Sequence, residues 1–167
     1  RSRGLGDVYK RQVMACPCKK MISPAMNHNM YHNPIVQDNI RKLERFGYEM
    51  IAPDRGMLAN GDDGDGRMPE PEVLFEYILR ELACEKDLAG KKVLVTAGAT
   101  MEAIDPVRYI TNHSSGKMGC ALAKAAMQRG AKVTLVAGHM EVLPPMFVDV
   151  VNVKSAADMF EAVTKLA

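Results

Sequence analysis

The 167-residue chain has 22 basic and 20 acidic side chains, a formal net charge of +2, and 47% hydrophobic residues. This length allows one or two small domains with a buried core. No run of about eighteen apolar residues is present, so no transmembrane helix is predicted. Four scattered cysteines indicate a reducing compartment, most simply the cytoplasm.

The positive charge lies in the first twelve residues, which hold four basic side chains and one acidic side chain. The remainder is slightly acidic, so neither a nucleic-acid surface nor a membrane partner is predicted. Residues 7–12 match the translation of a transposon end used in sequencing libraries. We therefore interpret residues 1–12 as a non-native extension, with a native basic tail as the alternative.

The next segment, residues 13–84, alternates predicted strands and helices. Asn33 and Pro34 are a typical helix start, and Gly47 is placed to end that helix. In chain order the prediction is a strand at 20–23, a helix at 33–47, a strand at 48–52, a loop at 56–67 and a helix from Pro71.

Residues 85–92 are polar, which indicates a junction between two domains. After it the prediction is a strand from Val93, a helix from Ser115 to Arg129, strands at 132–137 and 147–153, and a helix capped by Ser155. Because parallel βαβ units occur on both sides of the junction, the sequence predicts two α/β domains, each incomplete.

The segment from Val93 to Gly119 joins a strand to a helix through a glycine turn, like the phosphate-binding corner of a doubly wound α/β fold. About fifteen residues separate turn and helix, too many for a dinucleotide fingerprint. We therefore predict that the loop itself carries chemistry. Arg108 and Lys117 are candidate phosphate ligands beside the backbone amides of residues 114–116. A capped turn with His113 exposed is the alternative.

A second marked segment, PAMNHNMY, follows the first predicted strand. The Asn27 side chain has donors and an acceptor that can bind a carboxylate or amide, and Met26 and Met30 can make apolar contacts with a planar ring. The alternative, which composition alone favours, is an ordinary turn before a helix.

The Gly- and Asp-rich segment at 57–68 does not meet the spacing of a calcium loop, so it predicts a mobile substrate flap or a solvated loop. His28, His32 and His139 lack a partner constellation and are predicted to be surface residues. Cys16 and Cys18 indicate a thiol pair rather than a zinc site. We predict no metal ligation by protein side chains.

Together these segments resemble the bifunctional phosphopantothenoylcysteine decarboxylase/phosphopantothenate–cysteine ligase family of bacterial coenzyme A biosynthesis. PAMNHNMY is similar to the decarboxylase motif P-x-M-N-x-x-M-[WY], LANGDDGDGRM to its substrate flap, and DPVRYITNHSSGKMG to the ligase nucleotide loop. The resemblance covers residues 13–167. It implies the C-terminal part of a flavodoxin-like decarboxylase domain at 13–84, a junction at 85–92, and the first part of a Rossmann-like ligase domain at 93–167.

For the ligase half, the resemblance implies CTP-dependent ligation of cysteine to 4′-phosphopantothenate through an acyl-cytidylate, with Mg²⁺ accompanying CTP. Arg108 and Asn112 would stabilise the acyl-cytidylate and its breakdown. The residues implied in binding phosphates or substrate are Gly98, Ala99, Ser114, Ser115, Gly116 and Lys117.

For the decarboxylase half, the resemblance implies an FMN-dependent conversion of phosphopantothenoylcysteine to phosphopantetheine. Asn27 would bind substrate, Met26 and Met30 would line the site, and Arg67 would anchor substrate as the flap closes. The family's proton-donor cysteine is Asn60 here. Because an amide cannot supply a thiol's proton, this substitution puts the reductive half-step in question.

The family assembles its flavin sites between subunits, so the resemblance also implies a homo-oligomeric parent protein. The family's catalytic histidine and ligase lysine match no residue here, and we expect neither activity from the chain alone. A non-catalytic nucleotide-binding or interaction module is the alternative. An NAD-dependent oxidoreductase is disfavoured because residues 136–139 offer no acidic ribose ligand.

Overall fold

The computed structural model describes residues 5–58, 61 and 63–167, and the chain divides into two compact units, Arg1–Leu74 and Phe75–Ala167. Both units mix helices with parallel strands, which confirms the predicted α/β class. No helix in the described part of the chain is long and apolar enough to cross a membrane.

The first unit contains a short parallel strand pair and an antiparallel hairpin. Its elements are α1 (Leu5–Ala15), β1 (Met21–Ile22), α2 (His28–Tyr31), α3 (Pro34–Arg45), β2 (Glu49–Met50), β3 (Asp54–Met57) and β4 (Asp63–Arg67). β1 pairs in parallel with β2, and α2 and α3 form the connection between them. Helix α1 overlaps residues 1–12, whose non-native origin stays a prediction.

Helix α3 begins where the sequence predicts it. The Asn33 side chain accepts a hydrogen bond from the amide of Ile35 at 2.9 Å, and Pro34 occupies the first turn. This cap satisfies one of the amides that a helix start leaves without a partner. It fixes where the chain turns from α2 into α3.

The loop predicted at residues 56–67 is wrong in part, because strands β3 and β4 pair antiparallel there. Gly64 and Gly66 are both buried, while Asp63 and Arg67 are exposed. Since alternate residues of a strand share a face, the Gly-Asp repeat gives β4 one bare face for close packing. The prediction failed because glycine is generally read as a loop residue.

Helix α4 (Pro71–Leu82) runs from the first unit into the second. The other elements of the second unit are β5 (Lys92–Ala97), β6 (Glu102–Ala103), β7 (Tyr109–Ile110), α5 (Lys117–Gln128), β8 (Lys132–Ala137), β9 (Asp149–Asn152) and α6 (Ala156–Leu166). β5, β8 and β9 form a parallel sheet in the order β5-β8-β9. The strands and helices predicted after the junction are therefore confirmed, with ends shifted by a few residues.

The core of the second unit lies between α5 and this sheet. Its buried members are Ala97, Ala123, Met127, Ala131, Val133 and Leu135. Small alanines on α5 allow the helix to lie close to the β-branched and leucine side chains of β8. The sheet edge from which the long loop before α5 leaves β5 is thus supported by a packed apolar layer.

Candidate functional site

Each unit has a cavity just beyond the carboxyl end of its first parallel strand, β1 or β5. Open α/β sheets bind ligands at this edge, because loops and helix N-termini converge there. The two marked sequence segments, PAMNHNMY and the loop before α5, both follow such strand ends.

The cavity of the first unit has a volume of about 400 Å³. Its lining in the described part of the chain is Ala25, Met26, Asn27, Met57, Leu58, Gly66, Arg67 and Met68. Apolar side chains dominate this lining, with Asn27 and Arg67 supplying polar groups. The structure therefore brings together three of the predicted decarboxylase residues, Met26, Asn27 and Arg67.

Met30 and Asn60 do not join this group. Met30 is 57% exposed and is absent from the described lining, so the prediction that it lines the site with Met26 is not supported by its position. Asn60 lies outside the described residues. Met57, Leu58 and Met68 lie within the predicted flap segment, 57–68, where no role was predicted for them, and they add apolar surface to the cavity.

Asn27 has a structural role as well as a place in the cavity. Its Oδ1 accepts a hydrogen bond from the amide of Asn29 at 2.9 Å and so caps α2. The side-chain oxygen is held by this bond, which fixes the orientation of the amide group. A fixed amide can recognise one edge of a bound carboxylate or amide.

The backbone of β4 packs directly on the segment that contains Met26. The amide of Met26 donates to the carbonyl of Gly66 at 3.0 Å. A methyl group added at Gly66, where φ is +134°, would lie 2.0 Å from the carbonyl oxygen of Met26. Only glycine accommodates both this contact and this backbone conformation.

Arg67 follows directly and donates a hydrogen bond to the carboxylate of Glu70, three residues along. The guanidinium is about half exposed, so a ligand anion in the cavity would compete with Glu70 for it. Ser23, at the end of β1, has a buried hydroxyl without a hydrogen-bond partner among the described residues. This orphaned hydroxyl is the kind of group that a polar ligand or an ordered water satisfies.

His28 and His32 share a partner, so the prediction that they lack a partner constellation is wrong, although His32 is exposed as predicted. His32 Nε2 lies 2.9 Å from Asp65 Oδ2, and the amide of Asp65 donates to His28 Nδ1 at 3.1 Å. The four-residue spacing of the two histidines beside a helix start was the available signal. It was missed because their partner, Asp65, lies 33 and 37 positions away in the chain.

The second cavity has a volume of about 440 Å³ and lies at the N-terminus of α5. It is lined by Thr96, Ala97, Gly98, His113, Ser114, Ser115, Gly116, Lys117, Met118, Gly119, Leu122 and Met159. Five predicted nucleotide-binding residues therefore lie around one space: Gly98, Ser114, Ser115, Gly116 and Lys117. His113, predicted as exposed in the alternative, is both exposed and part of the lining.

The start of α5 presents backbone amides to this cavity. Gly116 precedes the helix with φ of +79° and makes no side-chain capping bond. A side chain at this position would collide with Met140. The N-terminus of a helix carries partial positive charge, and Lys117 adds a full positive charge beside it. The cavity thus has the electrostatics of an anion site.

Ala99 does not line the second cavity. It is 1% exposed, and its amide and carbonyl exchange hydrogen bonds with the backbone of His139 at 2.9 and 2.7 Å. These bonds occupy the Ala99 amide, which removes it as a donor to a phosphate. We interpret Ala99 as a residue that fixes the turn after β5.

The long loop before α5 contains a hairpin formed by β6 and β7. At its turn, Asp105 accepts hydrogen bonds from the amides of Arg108 and Val107 and from Arg108 Nε. These donors lower the pKa of Asp105 below its ordinary value. Arg108 is 73% exposed at its side chain and is oriented by Asp105.

Asn112 and Arg108, the predicted catalytic pair, are absent from the described lining of the second cavity. Asn112 Oδ1 accepts a hydrogen bond from the amide of Ser114 at 2.9 Å, which connects it to the lining residues. Arg108 lies on the hairpin, so the structure does not join it to Ser114–Lys117. The hairpin would have to close over the cavity for both to reach one ligand.

Comparison with known proteins gives a consistent result for both units. Residues 5–83 match the flavoprotein family, and residues 88–167 match the family described as the DNA/pantothenate metabolism flavoprotein C-terminal domain. A solved C-terminal domain of a coenzyme A biosynthesis bifunctional protein CoaBC is 55% identical, with a TM-score of 0.46, over 47% of this chain and 40% of that one.

Curated relatives share the order of both segments. The coenzyme A biosynthesis bifunctional protein CoaBC of Vibrio parahaemolyticus is 51% identical over 97% of this chain and 41% of its own length. The protein of the same name from Haemophilus influenzae is 50% identical over 93% of this chain and 39% of its own length. The chain thus spans about two fifths of these relatives. The resemblance inferred from the three motifs is confirmed: the chain belongs to the family of the coenzyme A biosynthesis bifunctional proteins, with a flavoprotein segment followed by a DNA/pantothenate metabolism flavoprotein C-terminal segment.

Proposed function

We propose that the protein carrying this chain acts in coenzyme A biosynthesis as a two-reaction enzyme. The second unit contributes to CTP-dependent ligation of cysteine to 4′-phosphopantothenate, and the first to decarboxylation of the phosphopantothenoylcysteine formed. Small molecules are the substrates of both reactions. The observation that carries the proposal is the convergence of Gly98 and residues 114–117 on one cavity at the start of α5.

In the ligase half, the proposed fold is Rossmann-like, and the cavity at α5 is the phosphate-binding part of the site. The helix amides and Lys117 attract the phosphates of CTP, with Mg²⁺ accompanying the nucleotide. Ser114 and Ser115 offer hydroxyls around the same space, while the amide of Ser114 is bonded to Asn112. Fixed donors of this kind stabilise the charge that develops on phosphate and carboxylate oxygens as the acyl-cytidylate forms.

Arg108 and Asn112 are proposed to act on the acyl-cytidylate. Asn112 is bonded to Ser114, so its position follows that of the α5 N-terminus. Arg108 is held by Asp105 at the hairpin turn, and exchanges Asp105 for the ligand when the hairpin closes. Because Arg108 is not among the residues that line the cavity, this closure is part of the proposal.

In the decarboxylase half, the proposed fold is flavodoxin-like, and FMN is the flavin. Met26 and its apolar neighbours fit one face of a planar ring. A flavin bound there supplies reversible two-electron oxidation of the substrate thiol. Asn27 orients the substrate, and Arg67 leaves Glu70 to bind an anionic group.

A binding titration tests the ligase assignment. CTP with Mg²⁺ should raise the melting temperature of the chain, because a ligand bound only by the folded state stabilises it. Lys117→Ala should weaken this binding by about tenfold through loss of a charged contact. Lys165→Ala makes the same charge change near the end of α6 and should leave CTP binding unchanged. Stabilisation by NADH without stabilisation by CTP and Mg²⁺ would contradict the assignment.

Product analysis tests the decarboxylase assignment and the substitution at position 60. The protein carrying this chain, with Asn60 and with Asn60→Cys, is supplied with phosphopantothenoylcysteine and its products are identified by mass. Since an amide is a poor proton donor, the Asn60 protein should accumulate the oxidised enethiol and Asn60→Cys should release the saturated product. Equal release of saturated product by both would show that Asn60 does not limit the reduction.

A further inference from the structure

Three side chains of the first unit place possible metal-ligand atoms close together. One ligand atom from each of His28, His32 and Asp65 lies within 4.8 Å of the others. Among the residues that the structure describes, no other group of three histidine, cysteine or acidic side chains has its ligand atoms this close together. All three lie outside the described lining of the neighbouring cavity.

The backbone explains why these residues meet. His28 begins α2 and His32 caps its C-terminal end, so the four-residue spacing puts both rings on one side, with ring centroids 4.4 Å apart. Asp65 approaches from β4, whose neighbouring Gly64 leaves room for the His28 ring: an added methyl group there would lie 2.8 Å from Nδ1. The cluster is therefore built by two elements that pack closely.

We propose that His28, His32 and Asp65 form a binding site for a divalent transition-metal ion such as Zn²⁺. Two imidazole nitrogens and one carboxylate oxygen are ligands that zinc accepts, and water completes a four-coordinate site. The nitrogen ligands favour zinc-like ions over Mg²⁺ and Ca²⁺, which prefer oxygen. The side chains of His32 and Asp65 are 50% and 41% exposed, so a hydrated ion reaches them from solvent.

Metal binding requires a defined local change. His32 Nε2 and Asp65 Oδ2 are 2.9 Å apart and share a hydrogen. The ion replaces that hydrogen, and the two atoms separate to about 3.3 Å, the spacing of two ligands in a tetrahedral zinc site. The displaced hydrogen moves to His32 Nδ1 or is lost to solvent.

His28 also changes its hydrogen bonding. Its Nδ1 accepts a bond from the Asp65 amide, so its Nε2 carries the hydrogen of the neutral ring. Coordination through Nδ1 uses that lone pair, and coordination through Nε2 moves the hydrogen onto Nδ1. Either route ends the bond from the Asp65 amide. Faster hydrogen exchange of this amide is therefore a specific sign of coordination by His28.

The inference is independent of the proposed function, because it rests on side-chain geometry alone. A bound ion would join α2 to β4, the elements adjoining Asn27 and carrying Arg67. We therefore expect the metal to hold the hairpin against the PAMNHNMY segment.

The experiment is a titration of the 167-residue chain carrying Cys16→Ser and Cys18→Ser, which removes a thiol pair with sulfurs 2.8 Å apart that would compete for zinc. Zn²⁺ binding is measured by calorimetry and Co²⁺ binding by visible absorption. We expect one site, with Co²⁺ bands typical of nitrogen and oxygen ligands and no thiolate charge-transfer band. His32→Gln and Asp65→Asn should each weaken binding by at least about tenfold.

The exposed His139 provides the matched control, and His139→Gln should bind as the parent does. Circular dichroism without metal checks that each variant folds. In the Cys16→Ser, Cys18→Ser chain itself, the Asp65 amide should exchange its hydrogen faster when metal is bound. Unchanged affinity in both His32→Gln and Asp65→Asn would overturn the proposal. Zinc binding that is lost when Cys16 and Cys18 are replaced would also overturn it.

Discussion

In the second unit the candidate site lies against a buried apolar sheet, whereas in the first it is held mainly by backbone contacts and hydrogen bonds. Of the buried apolar side chains described, Ile51 belongs to the first unit and all others to the second. The cavity at α5 therefore rests on a packed core. The cavity at β1 depends on two short strands and on the bare glycine face of β4.

This difference has a physical consequence for how each site tolerates change. A packed core resists small shifts because each side chain contacts many others. A site held by a few backbone contacts depends on each of them, and a single added atom displaces it. We therefore expect substitutions to act through stability in the second unit and through local geometry in the first.

The largest expected effect is loss of the core leucine in the second unit. Leu135 is fully buried on β8, so Leu135→Ala should lower the free energy of unfolding by about 3 kcal/mol through lost contacts and a residual cavity. Hydrogen exchange of amides in β5 and β8 measures this loss. Ile51→Ala is the counterpart in the first unit and should cost less. An equal or larger loss for Ile51→Ala would show that the two units do not differ in how much they depend on a packed core.

A smaller but more local effect is expected at Gly66. Gly66→Ala should displace β4 from Met26, because the added methyl group meets the Met26 carbonyl oxygen and the backbone conformation is unfavourable for alanine. The expected local destabilisation is at least about 2 kcal/mol. It is measured as faster hydrogen exchange of the Met26 amide.

Gly56 on the paired strand β3 gives the matched control for this change. A methyl group there would make ordinary contacts, with the nearest atom, Arg67 Cδ, at 3.5 Å. Gly56→Ala should leave exchange of the Met26 amide unchanged. Equal effects of the two substitutions would mean that the hairpin as a whole, rather than the Gly66 contact, holds the site.

The smallest expected effect concerns pH and the start of α6. Hydrogen bonds from Ser155 and Lys154 lower the pKa of Asp158 below its ordinary value. Because the folded pKa is depressed, this carboxylate stabilises the second unit above about pH 4, the ordinary pKa of an aspartate. The contribution is lost as pH falls through the lower folded value.

Thermal unfolding between pH 6 and pH 3 checks this sign. The stability advantage of the parent over Asp158→Asn should be present at about pH 6 and shrink on acidification. Glu161→Gln, further along the same exposed helix face and away from the N-terminal amides, should show a smaller pH-dependent difference. A gap between parent and Asp158→Asn that widens toward pH 3 would show that the linkage has the opposite sign.

The sequence predicted elements best where strong local signals exist. Asn33-Pro34 and Ser155 mark helix starts that the structure reproduces, since capping is decided by neighbouring residues. It predicted β4 wrongly because the packing of Gly64 and Gly66 against a distant segment is not a local property. The hairpin of β6 and β7 was missed for a related reason. Each strand has two residues, which is too few to show the alternation of apolar and polar residues that marks a strand.

The candidate sites divide in the same way. Side-chain chemistry and the strand–turn–helix pattern indicated Asn27 and residues 114–117, and the family resemblance added Arg67. The sequence could not tell that Ala99 has its amide occupied by His139, or that Arg108 is bound to Asp105 away from the cavity. The domain limits at 84–93 and the extension at 1–12 stay predictions.

The α/β class, the family and most helix starts follow from the sequence, because periodicity, caps and motifs are properties of residues near one another in the chain. The meeting of His28, His32 and Asp65, and the position of Met30 outside the lining of the cavity, become visible in the folded chain alone. The meeting of the three side chains depends on how closely β4 approaches α2. That approach depends on glycines with no side chain to signal it.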